Sequence, residues 1–184
     1  GIGAYASALC TKAGVPFLTT IPVAMASAGA VGIIVGLASL RVRADFLAIT
    51  TMGVGFLFVG IVRQQDSLGG ELGISGIPDP GMSKFAFMLL SLGLAALTAV
   101  ISLYIRRSWM GRVFGGIAED EDTMRVLGID APSYKLAAFA IGTALAGAAG
   151  ALYAQHFKFI GPESFGFVES ITVLSMVVVG GIGS

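Results

Sequence analysis

Long apolar runs alternate along the chain with shorter polar connections. Apolar stretches with at most one charged residue cover residues 1–11, 13–40, 46–62, 85–105, 136–157 and 165 to the end. A transmembrane helix needs about 20 apolar residues to cross a hydrocarbon core of roughly 30 Å, so the pattern predicts an all-α, polytopic transmembrane helical bundle of about five to six membrane segments. Because the chain starts and stops within apolar runs, we expect a fragment truncated at both ends.

Two of these segments leave alternatives open. In residues 13–40 we expect a helix that starts near Pro16, and Pro22 either kinks it or marks its true start. Residues 46–62 contain three glycines and are only 17 residues long, which is the short limit for a span. A broken or re-entrant element is therefore the alternative to a full crossing there.

The polar connections predict an orientation. Residues 63–84 are rich in Gly, Pro, Ser and Asp and indicate an exposed loop, whereas residues 106–135 form a long charged insert. Cytoplasmic loops carry an excess of Lys and Arg. Placing 106–135 inside puts seven of the 11 basic residues on the cytoplasmic side, namely Arg41, Arg43, Arg106, Arg107, Arg112, Arg125 and Lys135. The other four, Lys12, Arg63, Lys84 and Lys158, then lie outside.

Small residues recur at four-residue spacing in two of the segments. Gly32 and Gly36 form one pair, and Gly142, Ala146 and Gly150 form a ladder. Small side chains let helix backbones approach closely in lipid, so both patterns indicate contact stripes within one bundle. The alternative is that they line a pathway or pair with another subunit.

Composition excludes several classes of function. Hydrophobic residues make up 55% of the chain and charged residues 12%, which is typical of a membrane protein. The net charge of +0 argues against nucleic-acid binding. The sequence contains no metal-binding Cys/His cluster, no phosphate-binding loop, no HExxH motif and no nucleophile elbow. We therefore expect no cofactor and no catalysis. Any powered transport must draw its energy from a partner or an ion gradient.

The insert at 106–135 carries an acidic run. Residues 119–122 suit a helix N-terminus, and Gly128 followed by Asp130-Ala131-Pro132 suits its end. Ile117, Met124 and Leu127 would give this helix an apolar side. The pattern predicts an amphipathic helix of two or three turns that fits a groove on another protein, or equally an interfacial helix lying on lipid headgroups.

Three residues are candidates for a translocation path. Glu169 lies a few residues into the last apolar run, where it either sits at the outer interface or lines a pore. Thr50 and Thr51 can hydrogen-bond a solute or their own helix turn. His156 is expected at a wet helix end, with proton coupling as the alternative.

The chain resembles the permease subunits of branched-chain amino acid (leucine/isoleucine/valine) ABC importers. The resemblance is carried by GRVFGGIAEDEDTMRVLGIDAPSYKLAAFAIGTALAGAAGALYA, by GPESF and MVVVGGIGS after it, and by LRVRADFLAITTMG and GISGIP before it. It covers nearly the whole chain and implies one permease domain over residues 1–184, with 106–135 as a cytoplasmic coupling loop. Within that loop, 113–130 would touch the ATPase, with Glu119, Asp120, Glu121, Arg125 and Gly128 as its principal residues.

The resemblance also implies partners and a location. Two ABC ATPase subunits, a second homologous permease subunit and an extracytoplasmic solute-binding protein would surround the chain in the inner (plasma) membrane of a prokaryote. Family members often carry a glutamate where Phe56 stands, which leaves the solute contact of that segment open. Permeases for urea, short amides or other amino acids share much of the pattern. An ion-coupled secondary transporter would need paired charges inside the membrane, and a membrane scaffold would not need the polar helix.

Overall fold

The computed structural model describes residues 1–40 and 44–180, and side chains within residues 1–38, at 40 and within 51–180. Arg41 and Arg43, two of the predicted cytoplasmic charges, and the side chain of Thr50 lie outside this description. The helices are α1 Ile2–Lys12, α2 Phe17–Ser39, α3 Ala44–Gln64, α4 Lys84–Arg107, α5 Trp109–Glu119, α6 Glu121–Val126, α7 Ala131–Phe157 and α8 Phe167–Gly180. Two-residue strands β1 Ile74–Ser75 and β2 Phe159–Ile160 pair antiparallel, and short 3₁₀ turns connect the rest.

Four helical stretches are long and apolar enough to cross a membrane within the described part of the chain: Phe17–Ala38, Lys84–Arg107, Ala131–Phe157 and Pro162–Gly180. The 21 residues of α3 form one continuous helix, about 32 Å long at 1.5 Å per residue, with no break at its glycines. These segments, with the shorter apolar α1, confirm the all-α polytopic fold.

The bundle is organised around α7, which packs against α1 and α2. Gly3 of α1 faces Gly147 of α7 so closely that a Cβ at Gly3 would lie 2.5 Å from the Gly147 Cα. On the other side of Gly147, a Cβ would meet the Ala24 carbonyl oxygen of α2 and come within 2.7 Å of the Ala28 Cβ. Backbones approach this closely only where side chains are absent, so Gly147 allows three helices to meet.

The direction of each helix follows from its contacts along α7. Near one end of α7, Gly36 of α2 lies against Leu136, and towards the other end Phe17 and Ala24 cluster with Ala151. Helix α2 therefore runs antiparallel to α7. Helix α1 runs parallel to α7, since Gly3 meets Gly147 and Ala8 shares a buried cluster with Ala154.

The connections collect at two ends of the bundle. At the end of α7 that contains Phe157, here called the ribbon end, β1 pairs with β2, Lys158 bonds Asp79 at 2.6 Å, and the Gln155 side chain donates to the Pro78 carbonyl at 2.7 Å. At the opposite end, here called the α6 end, Lys135 contacts Glu121. The loop 63–84 and the segment 158–165 thus share one end, as the alternation of segments predicts, and Leu40 lies with α6 at the other.

Several local expectations need correction. Helix α2 begins at Phe17 and continues through Pro22, so the idea that Pro22 marks the start is wrong. A Cβ at Gly142 would meet nothing within 4 Å among the described residues, so this residue is not part of a contact stripe here, unlike Gly32, Gly36 and Gly150. Asp130 and Pro132 begin α7 rather than only ending the preceding helix, because proline suits the first turn of a helix.

Candidate functional site

The α6 end begins with a one-residue break after the long helix α4. Ser108 separates α4 from α5, and a Cβ at Gly111 would clash with the carbonyl oxygens of Ile105 and Arg106. Helix α5 is amphipathic: Val113 is buried, while Trp109 is exposed with the Arg112 guanidinium 5.6 Å from its ring centre. This helix is not among the elements predicted from the sequence, although Trp109, Val113 and Ile117 recur at helical spacing.

Helix α6 is short and has a defined start and end. The Asp120 carboxylate accepts the backbone N–H groups of Asp122 at 3.0 Å and Thr123 at 3.2 Å, which caps the N-terminus. At the other end Gly128 has φ +83°, and the Gly128 and Ile129 N–H groups bond back to the Arg125 and Met124 carbonyls. This is a Schellman ending, and it explains the glycine. With six residues, α6 is shorter than the predicted two or three turns.

Glu121 links α6 to the long helix α7. Its carboxylate accepts the Arg125 guanidinium at 2.8 Å within α6 and contacts the Lys135 ammonium in the first turns of α7. The Lys135 hydrogen bond, with the nearby positive charges, holds the pKa of Glu121 below its ordinary value. The hydroxyl and N–H of Thr123 likewise lower the pKa of Asp120. Both carboxylates are therefore ionised at neutral pH.

The predicted apolar side of α6 is different in the structure. Met124 turns inward, where a Cβ at Gly116 of α5 would meet its thioether at 2.6 Å, and Ile117 belongs to α5. Val126 and Leu127 instead point outward and are 88% and 69% exposed. Glu119, the last residue of α5, is exposed as well. These three exposed residues, two apolar and one acidic, are here called the α6 surface. Val126 was missed because its face depends on how α6 sits against α5.

A cleft of about 950 Å³ lies between α3 and α8, near the ribbon end. Thr51 of α3 and Glu169 of α8 both line it, so the structure brings these two candidates together. Its walls are largely apolar, and Phe56 stacks on Phe167 with ring centres 6.4 Å apart. At its mouth Arg63 donates to Glu163 at 2.8 Å. The pairing of Arg63 with Glu163 is not predictable from the sequence, because the two residues are 100 residues apart.

His156 lies away from this cleft. Its ring stacks on Phe87 of α4 with centres 6.0 Å apart, at the ribbon end of α7. This matches the expected helix-end position.

Comparison with known proteins gives one consistent family. The family model described as "Branched-chain amino acid transport system / permease component" matches residues 1–184. The high-affinity branched-chain amino acid transport system permease protein LivM of Escherichia coli K12 is 36% identical over 214 aligned residues, covering 100% of this chain and 50% of that protein. LivM of Salmonella typhimurium is 35% identical with the same coverage.

A related but different permease also matches in part. LivH of Escherichia coli K12 is 37% identical over 84 residues, which is 46% of this chain and 27% of LivH. No solved structure is a significant match for this chain. The chain spans about half the length of the LivM proteins that it matches. With a family model matched over every residue, the chain belongs to the branched-chain amino acid transport system permease family.

Proposed function

We propose that this chain belongs to the membrane-spanning permease subunit of an ABC importer that moves branched-chain amino acids across the inner membrane of a prokaryote. Two ATPase subunits hydrolyse the ATP, a second permease completes the pathway, and a solute-binding protein delivers the amino acid from outside. The chain itself is not an enzyme. The names of the LivM and LivH proteins support the solute class, and the match to both types supports a paired permease.

The observation that carries this proposal is the link from α6 to α7. The α6 surface is open to a partner within the described part of the molecule, since Val126, Leu127 and Glu119 are all exposed. A short helix with exposed apolar and acidic side chains fits a groove on another protein. A force applied there passes through Glu121 to Lys135 and so to α7.

Helix α7 would transmit that force along the bundle. It is 27 residues long, about 40 Å at 1.5 Å per residue, and its Gly147 lies directly against backbone atoms of α1 and α2. Close-packed helices move as units rather than deforming, so a shift at α6 moves the ribbon end as well. Coupling arises if the ATPase binds the α6 surface differently in its open and closed states.

Uptake of radiolabelled leucine tests the proposal. Proteoliposomes should contain the full-length permease pair, the ATPase subunits and the binding protein, with ATP on the cytoplasmic side. We expect leucine, isoleucine and valine to accumulate only with hydrolysable ATP, and urea and acetamide not to accumulate. Uptake driven by a proton or sodium gradient after ATP depletion would contradict the proposal and favour a secondary transporter.

Labelling of single cysteines tests the sidedness. The structure places Glu121 at the α6 end of α7 and Glu71 in the loop at the ribbon end. In a full-length permease with Cys10→Ser, we expect Glu121→Cys to react with an impermeant maleimide only from the cytoplasm and Glu71→Cys only from outside. Reaction of both from the same face would overturn the cytoplasmic assignment of 106–135.

A further inference from the structure

The cleft between α3 and α8 is lined by three charged groups and by largely apolar residues. The charged groups are Arg63, Glu163 and Glu169, and the apolar residues include Phe56 and Phe167. A cavity of about 950 Å³ with apolar walls and a few polar groups is of the kind that binds small molecules. A lining that combines charged groups with apolar surface complements a solute that is itself charged at one end and apolar at the other.

Glu169 has no hydrogen-bond or ion-pair partner within the described residues. It stands in the first turn of the apolar helix α8, and its carboxylate comes within 3.4 Å of where a Cβ on Gly166 would lie. The same Cβ would be 3.2 Å from the Glu163 carbonyl oxygen, so the Glu169 carboxylate lies near the backbone of Glu163. An unpaired carboxylate in a membrane-spanning helix is costly, which makes it a candidate for a cationic ligand.

Arg63 retains donors for a second acceptor. It bonds Glu163 through Nη2 alone, and both side chains are open to solvent at 44% and 82% exposure. A guanidinium has five N–H donors, so one carboxylate bound through one nitrogen does not exhaust it. A carboxylate arriving in the cleft can bond Arg63 without displacing Glu163. Arg63, Glu163 and Glu169 together carry one positive and two negative charges. The ammonium of an incoming ligand balances the excess negative charge.

We propose that this cleft binds a free aliphatic amino acid as its zwitterion, with Arg63 bonding the α-carboxylate, Glu169 the α-ammonium, and Phe56 and Phe167 contacting the branched side chain. The inference rests on the proposed function and adds the site at which the permease itself selects the solute. A purely apolar occupant, such as a further helix, would leave Glu169 buried without a partner, which the cost of a charge in lipid disfavours.

Displacement of radiolabelled leucine tests the site. The full-length permease complex with its ATPase subunits, nucleotide-free in lipid nanodiscs and without binding protein, is incubated with leucine, leucinamide or 4-methylpentanoate. Leucinamide lacks the carboxylate and 4-methylpentanoate lacks the ammonium. For the unmodified complex we expect each analogue to compete at least about tenfold more weakly than leucine, the order expected for one lost charge-assisted hydrogen bond.

The variants separate recognition from folding. In Glu169→Gln, the affinity for leucine should fall about tenfold, towards the affinity for 4-methylpentanoate, since the leucine ammonium no longer has its partner. In Arg63→Gln, the affinity for leucine should likewise fall towards the affinity for leucinamide. Glu71 is a matched glutamate at the same end of the bundle but outside the cleft. In Glu71→Gln the relative affinities for the three ligands should equal those of the unmodified complex.

Two results would overturn this site. One is that all three ligands weaken together in Glu169→Gln, as they would for a merely structural role. The other is that leucine binds the unmodified complex no better than its analogues do, or not at all. If the unmodified complex accumulates leucine with ATP, either result refutes the site alone, whereas an unmodified complex that does not accumulate leucine with ATP refutes the proposed function.

Discussion

Glu121→Lys is expected to lower ATP-driven leucine uptake at least about tenfold while the permease stays in the membrane, a change within the range of ordinary coupling free energies. The substitution replaces the carboxylate between Arg125 and Lys135 with a third positive charge. Attraction then becomes repulsion, and α6 separates from the start of α7. ATP hydrolysis by the assembled complex should continue without solute movement. Uptake and phosphate release are measured on the same proteoliposomes.

A charge exchange provides the matched control. Glu121→Lys combined with Lys135→Glu restores an opposite-charge pair between α6 and α7, although Arg125 remains without its former partner. We therefore expect partial recovery of uptake in the double variant and none in Lys135→Glu alone. If the single variants transport normally, or if the exchange is no better than either, the Glu121–Lys135 contact does not transmit coupling. Equal amounts of permease in the membrane fraction show that folding is not the cause.

Gly147→Leu is expected to disrupt the bundle. Even a Cβ at this position would meet the Ala24 carbonyl oxygen, and a leucine would force α1, α2 and α7 apart. Overpacking of a well-packed core costs about 1–3 kcal/mol and sometimes more. The expected result is a lower thermal unfolding temperature of the purified complex and less permease in the membrane fraction.

Gly142→Leu is the comparison for that experiment. It makes the same change in the same helix, five residues earlier, where a Cβ would meet nothing within 4 Å among the described residues. We expect it to unfold at nearly the original temperature. If Gly142→Leu and Gly147→Leu destabilise equally, the helix contacts described for α7 are wrong.

The sequence was informative about features that depend on nearby residues. The long apolar runs identify the membrane-spanning helices, because the length of a run decides whether it can cross a hydrocarbon core. Asp120 and Gly128 mark the two ends of α6, because capping and left-handed backbone are properties of a few consecutive residues. The alternation of segments also predicted that loop 63–84 and the turn after α7 share one end, which the pairing of β1 with β2 confirms.

The tertiary structure alone decided which faces of these helices meet. Sequence spacing placed Gly142 in a contact stripe and gave no reason to single out Gly147. Yet Gly147 makes close contacts, whereas a Cβ at Gly142 would meet nothing within 4 Å among the described residues. Likewise, Arg63 and Glu163 meet at the mouth of a cleft that also holds Thr51 and Glu169. The rotation of an apolar helix about its axis is set by its neighbours, since small and apolar residues occur on every face of a helix in lipid. A run of apolar residues therefore determines that a helix forms, and the packing of neighbouring helices determines which of its residues make contacts.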